Sequence, residues 1–394
     1  MASAVKPQIN GLARHGRRLR ALGVQAALVA AVAALAYGAI VSAAQNLAHA
    51  HIASGFGFWN NTAGFDISQT LIDYSSSTSS FGRAFWVGLL NTLLVAALGI
   101  VIATVLGFVV GLTRLSRNWL ASTLAGVYVE TIRNVPLLLQ LLFWYNAVLK
   151  SLPELRGSLT LPGGVFLNNR GLFLPRPEFG DGCRSVVMAL ALGLAASVVV
   201  GLWSRRRRQR TGVALPTVWL TLGLCLGLPL AVFVAAGAPL SFTAPQLGRF
   251  NVLGGLEILP EFAALLLALS VYTAAFIAEA VRAGVLAVPA GQTEAAQALG
   301  LRPSAMLRFV VVPQAMRVIV PPLTSQYLNL IKNSSLAVAI GYPDLVQVFA
   351  GSVLNITGQA VEVIAITMAV YLVISLTASL LMNLYGHAIA VGER

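Results

Sequence analysis

The chain has 394 residues, of which 57% are hydrophobic and only 10% charged, against about 25% charged in soluble domains. That balance excludes a soluble enzyme or binding module and describes a protein that crosses a membrane several times. The net charge of +13 would indicate a polyanionic partner in a soluble protein, but in a membrane protein its meaning depends on where the basic residues lie.

Spanning the ~30 Å hydrocarbon core takes about 20 apolar residues in a helix, because hydrocarbon satisfies no backbone polar group. The first such stretch covers residues 21–44, behind Arg14, Arg17, Arg18 and Arg20. Its rival reading is a cleavable signal peptide ending near Ala48-His49-Ala50, but a 24-residue apolar run exceeds the usual h-region. Residues 45–84 follow outside. Their Ser/Thr tract, Ser75 to Ser80, reads as linker, and Phe56, Phe58, Trp59 and Phe65 read as an interfacial aromatic belt.

Further spans are expected near residues 85–112, 119–149, 183–203, 214–237, 261–285, 311–340 and 363–386, giving an all-α, polytopic bundle of about eight spans. With the N-terminus in the cytoplasm, the inner side collects 17 basic residues, including Arg205 to Arg208 and Arg210, and the outer side seven. Arg133 and Lys332 fall within segments. The positive-inside rule therefore accounts for the charge without nucleic acid, leaving the lipid bilayer as the basic residues' surroundings. Cys183 and Cys225 have neither metal-ligand spacing nor a disulfide framework, so no metal and no cofactor are expected.

The loop after residue 285 holds the most informative stretch. Pro289 suits a first helical turn, Ala290 to Ala298 are rich in helix formers, Gly300 suits a left-handed C-terminal position and Pro303 opens the next helix. Small side chains on a short rigid helix present a narrow knob that a groove on another protein accepts. Glu294-Ala295-Ala296, three residues, Gly300, nine residues and Val310-Val311-Val312-Pro313 resemble the EAA loop of ABC importer permeases, EAA-x3-G-x9-I-x-L-P, with Val310 and Val312 in place of Ile and Leu. The resemblance implies that Glu294, Ala295, Ala296, Gly300 and Pro313 belong to a coupling helix seated in a cleft of an ATPase subunit.

Flanking motifs narrow the resemblance. Tyr272 to Gly284, Glu130 to Gln140, Pro321 to Thr324 and Leu330 to Leu336 are similar to the histidine/glutamine-type polar amino-acid permeases, and the extra segments resemble the large Q-type subunit of general L-amino-acid importers. The implied architecture is a type I importer core in two parts, residues 83–149 and 260–394. An N-terminal span with an outer loop (1–82) precedes it, and an insertion with two more spans (150–259) interrupts it. The implied setting is the bacterial inner membrane, with a second, non-identical permease, two ATP-binding subunits and a periplasmic amino-acid-binding protein. The implied task is uptake of a broad range of L-amino acids; a narrower polar amino acid or an opine is the alternative cargo.

Ionisable residues inside spans need compensation, at about 2.5 to 3.5 kcal/mol for an Arg or Lys at mid-helix. Glu130 precedes Arg133 by three residues and Glu279 precedes Arg282 by three, spacings that put each pair on one helix face as structural salt bridges or parts of a gate. Pro136, Pro313, Pro321 and Pro322 interrupt helical hydrogen bonding, and broken backbone at depth lies inside protein or beside a watery cavity. Gln140, Lys332, Asn333, Ser334 and Ser335 are therefore the expected pathway residues. An ion-coupled secondary transporter is disfavoured because Glu130, Glu279 and Glu362 fall toward segment ends. Catalysis is disfavoured too: His15, His49, His51 and His387 lie in tails and loops, and no phosphate-binding Gly-rich Lys-Ser/Thr loop is present. The chain thus reads as a transport subunit whose ATP hydrolysis is supplied by another.

Overall fold

The computed structural model describes residues 10–49, 55–180, 182–212, 216–248 and 251–390. Ala50 and His51, named in the cleavage-site and histidine readings, lie outside them. Two compact units divide the chain, Met1–Leu94 with Pro343–Tyr385, and Val95–Tyr342 with Gly386–Arg394.

Among the described residues, five helices are long and apolar enough to span: Phe81–Thr113, Cys183–Arg208, Pro260–Leu286, Pro303–Ile340 and Ala360–Gly386. They coincide with five of the eight expected segments. The other three appear as shorter apolar stretches, Gly23–Leu35 within helix α1 (Asn10–His49), Leu137–Leu149 and Trp219–Ala235. A further apolar helix, Val346–Thr357, went unread in the sequence because it is too short to span.

In the larger unit, helix α8 (Pro260–Leu286) is the centre. Ala264, Ala268, Ala274, Ala275 and Ala278 on it are fully buried, and such small residues let helix backbones approach where lipid supplies no hydrophobic drive for association. Helix α2 (Phe81–Thr113) answers with glycines: a Cβ at Gly107 would lie 2.5 Å from Ile277 Cγ2, and one at Gly111 2.7 Å from the Ala278 carbonyl. On α8 itself, a Cβ at Gly284 would meet Ile319 Cγ1 at 2.3 Å. Ile319 belongs to helix α11 (Val312–Asn333). Thr104 of α2 and Tyr327 of α11 join hydroxyls at 2.8 Å.

The expected span 119–149 is broken. Helix α3 (Trp119–Asn134), N-capped by Asn118, ends at extended Val135, and helix α4 (Leu137–Leu142) restarts after Pro136 and runs on as a π-helix over Phe143–Leu149. Pro136 has no N–H for the Ile132 carbonyl, which sits four residues earlier. The Gln140 side chain supplies the donor instead, its Nε2 lying 2.9 Å from both the Ile132 and Val135 oxygens.

This unit also carries short strands. β1 (Leu159–Leu161), β2 (Val165–Asn168) and β3 (Gly171–Leu174) pair in antiparallel order, with β8 (Leu256–Ile258) on β3. β4 (Arg176–Phe179) pairs with β5 (Leu240–Thr243), and β6 (Gln246–Leu247) with β7 (Val252–Leu253). Runs of two to four residues are too short for alternation to register in a sequence. Between β4 and β5 stand helix α5 (Cys183–Thr211) and an opposed helix, formed by α6 (Thr217–Leu222), a π-turn at Gly223–Gly227 and α7 (Leu228–Ala235). The two touch at Gly193, where a Cβ would lie 2.2 Å from the Leu224 carbonyl, and at Ser197 and Cys225, 3.1 Å apart.

In the smaller unit three of the aromatics expected in a belt, Phe58, Trp59 and Phe65, belong instead to a core cluster. Phe58 is buried and packs on Phe81 and Phe349, Trp59 packs on Phe85 and Phe349, and Phe85 meets Phe349 at 5.3 Å between centroids. Phe56 stays exposed. The Ser/Thr tract is a folded turn: Ser79 N–H bonds the Ser75 carbonyl at 2.9 Å, and Ala63 N–H bonds the Ser79 carbonyl at 2.8 Å. Asn91 Nδ2 donates to the Gln69 and Pro343 carbonyls, both at 2.9 Å, and Asp344 caps the following helix by accepting from Gln347 N–H at 2.8 Å. Helix α12 (Ala360–Ala390) is the last of the described helices.

The α2–α8 contact yields a test. Gly107→Val should cost about 1 to 3 kcal/mol through overpacking against Ile277 and lower the detergent-solubilised protein's melting temperature, whereas Gly126→Val, with nothing near the added Cβ, should change it less. Equal melting temperatures for the two variants would contradict the close approach.

Candidate functional site

The loop leaving α8 becomes helix α9 (Ala290–Ala298) after the three residues Ala287, Val288 and Pro289. Its end is closed by a Schellman arrangement. Gly300 takes φ +72°, its N–H bonds the Gln297 carbonyl at 2.9 Å, and Leu301 N–H reaches back to the Ala296 carbonyl at 3.1 Å. No atom lies within 4 Å of a Cβ built on Gly300, so the requirement for glycine there is conformational rather than steric. Ala296 is buried, while Glu294 and Ala295 are exposed. One face of α9 is therefore seated in this chain and the other presents a carboxylate beside a methyl group.

Leu299, the residue before the closing glycine, is 81% exposed. The EAA pattern leaves this position open, so motif reading passed over it; its signal was a large apolar residue in an otherwise small or polar loop. Helix α10 (Pro303–Met306) and a π-turn at Leu307–Val311 lead into α11, with Pro313 in its first turn, where a missing N–H is tolerated. Pro303 to Ile340 still form one long helical run, so the ladder before Pro313 is interrupted by a π-turn rather than by a gap. Pro321 and Pro322 lie within α11, which continues through them to Asn333.

The charged residues near the C-terminal end of α8 are brought together, with one change of partner. Arg282 Nη2 meets Glu279 Oε1 at 2.6 Å, as their spacing predicts. Arg114, from the turn after α2, bonds the other oxygen of Glu279 and lies 3.8 Å from Glu130. The expected Glu130–Arg133 pair does not form: the Arg133 guanidinium lies over the Phe276 ring, 5.1 Å from its centroid, and cation–π attraction takes the place of the carboxylate. Spacing along one helix gave no access to Arg114, which reaches across from another.

The expected pathway residues separate into two groups. Gln140 is buried, with its amide N–H groups committed to the broken backbone before Pro136, and Ser334 is buried with its hydroxyl on the Ile331 carbonyl at 2.7 Å. Both serve helix ends. Lys332 is exposed in the last turn of α11, where the helix dipole favours a cation; Asn333 and Ser335 beside it are half-buried. Among the described residues no cluster of His, Cys, Asp and Glu is arranged to hold a metal ion.

Comparison with known proteins places this arrangement. The family described as the inner membrane component of binding-protein-dependent transport systems matches residues 209–390. The chain is 54% identical over 351 residues, 89% of its length and 87% of the other's, to the general L-amino acid transport system permease protein AapQ of Rhizobium johnstonii. It is equally 54% identical over 349 residues to YhdX of Escherichia coli, named as a putative amino-acid ABC transporter permease, with 89% of this chain and 88% of that one aligned. Among solved structures, one titled as an amino acid ABC transporter with histidines aligns over 78% of this chain and 95% of that one, at 23% identity and a TM-score of 0.46. Identity at this level over nine-tenths of the chain shows that the protein belongs to the permease family of amino-acid ABC transporters, as a membrane-spanning transport subunit whose ATPase is a separate chain.

Proposed function

We propose that this permease passes a broad range of L-amino acids from a periplasmic binding protein to the cytoplasm across the bacterial inner membrane, with its N-terminus inside. In this reading it pairs with a second, non-identical permease and draws on two ATP-binding subunits. Breadth of cargo is supported by 54% identity to a general L-amino acid permease, against 41% over 371 residues to the glutamate/glutamine/aspartate/asparagine permease BztB of Rhodobacter capsulatus. Uptake by the reconstituted complex, challenged with one competing amino acid at a time, separates the two cargo classes.

The observation that carries the coupling role is α9 itself. Its buried Ala296 and its Schellman closure hold a short helix in a fixed pose, with Glu294, Ala295 and Leu299 outward. ATP-driven closure biases two permease conformations only through contacts that differ between them, and a rigid knob with an apolar tip supplies such a contact. Gly300→Val should strain the αL closure by about 1 to 3 kcal/mol and uncouple binding-protein-stimulated ATP hydrolysis from uptake while leaving the chain inserted. Glu294→Lys should weaken ATPase docking by reversing charge at the contact. Wild-type hydrolysis and uptake for both variants at normal expression would reject the assignment.

For the pathway, Lys332, Asn333 and Ser335 remain the candidates, with Gln140 and Ser334 as supports of the helix ends beside it. Lys332→Met should reduce uptake and leave assembly with the ATPase intact; unchanged uptake across several amino acids would assign Lys332 to the lipid interface instead.

Orientation follows from the charge asymmetry. In a background with Cys183 and Cys225 replaced by serine, a cysteine introduced at Gln209 should resist a membrane-impermeant thiol reagent in intact cells and react after lysis. Labelling before lysis would overturn the orientation.

A further inference from the structure

We propose that Arg114 is a positioning residue for coupling: with Glu279 and Arg282 it clasps the turn between α2 and α3 to the C-terminal end of α8, so that both move as one piece with α9. The proposal rests on the coupling role of α9 and adds the route by which displacement of that helix reaches the other spans.

The geometry is that of a clasp between elements rather than of a pair along one helix. Glu279 accepts from Arg282, a turn further along α8, on both carboxylate oxygens, at 2.6 Å and 3.4 Å, and shares the second with Arg114, 165 residues away in sequence. Arg114 and Glu279 are 15% and 26% exposed in their side chains, so their attraction is screened less than that of a surface pair. The turn that carries Arg114 is held in its own right: Ser122 Oγ donates to the Arg114 carbonyl at 2.9 Å, and Asn118 caps α3 by accepting from Ala121 N–H at 3.2 Å. One turn before Arg114, Gly111 sits directly on the Ala278 carbonyl, so α2 has no free space in which to roll against α8. On the far side α3 is tied to α8 by Tyr128, whose hydroxyl donates to the Val271 carbonyl at 2.7 Å, and by Arg133 over Phe276.

From the clasp the route to α9 is short. Arg282 lies in the last turns of α8, and three residues separate that helix from α9. A tilt imposed on α9 therefore turns the end of α8, and Arg114 makes the α2–α3 turn follow. Without Arg114 the Glu279–Arg282 pair survives, because it lies within one helix, but the link between helices is lost.

The test uses the assembled transporter, with its ATPase and binding protein, in proteoliposomes. The readout is ATP hydrolysed per amino acid imported, a ratio that a loss of folded complexes alone does not move. Arg114→Gln should raise this ratio by at least about fivefold, the lower end of ordinary coupling energies, while the ATPase still co-purifies. Arg114→Lys keeps the charge but loses the fork that serves Glu279 and Glu130 together, and should fall between Gln and wild type. Wild-type ratios for both variants would overturn the clasp. Should the Gln variant fail to assemble, the Lys variant decides alone, a raised ratio supporting the clasp and a wild-type ratio overturning it. If Gly300→Val uncouples and Arg114→Gln does not, the clasp fails and the coupling role of α9 stands; if neither uncouples, both fail.

Discussion

The approach of α2 to α8 at Gly107 and Gly111 is the constraint on which the larger unit depends. Lipid tails are as apolar as the helices they surround, so helices associate there through packing and hydrogen bonds rather than by escaping water. Two glycines one turn apart put α2 against the Ala274 and Ala278 carbonyls of α8, and on the same helix Ile319 of α11 fills the space over Gly284. Once the backbones are this close, polar links that would otherwise be out of reach become available. Thr104 meets Tyr327, and Arg114 meets Glu279. The charged cluster is thus a consequence of the small-residue seam.

Backbone satisfaction is the second rule at work. An unpaired carbonyl in hydrocarbon costs several kcal/mol, and the break at Val135–Pro136 would leave Ile132 and Val135 in that state. Gln140 resolves both with one amide group. The same economy ends α11, where Ser334 returns to the Ile331 carbonyl and Ser335 to that of Lys332. Polar residues near helix breaks invite assignment to a substrate path; here three of them, Gln140, Ser334 and Ser335, are occupied with the main chain, while Lys332 is exposed.

How much was legible in the sequence follows from range. Apolar runs are local, so the long spans, the Ala-rich helix and its glycine terminator could be read directly, and so could the Glu279–Arg282 pair at i,i+3. What depends on distant residues could not. Arg133 finds Phe276 rather than Glu130, Phe58 becomes core because Phe349 arrives from a distant part of the chain, and β3 and β4 find partners in β8 and β5, which lie far along the sequence. Leu299 was hidden for a different reason: its importance lies in its exposure, which no spacing rule encodes.

The pairing of β3 with β8 has a consequence for the history of the chain. Leu172 faces Ile258 and Leu174 faces Leu256, so everything between them begins and ends at neighbouring points, about 4.8 Å apart across the ladder. The β4–β5 pair repeats this one level further out, and α5 runs alongside its opposed partner beyond it. The excursion is built like a stem with a loop. A stem of this kind can be lengthened, shortened or exchanged at its tip while Pro260, where α8 begins, stays where it was. The segment between the paired strands and the helices that follow Pro260 are therefore free to change on separate schedules.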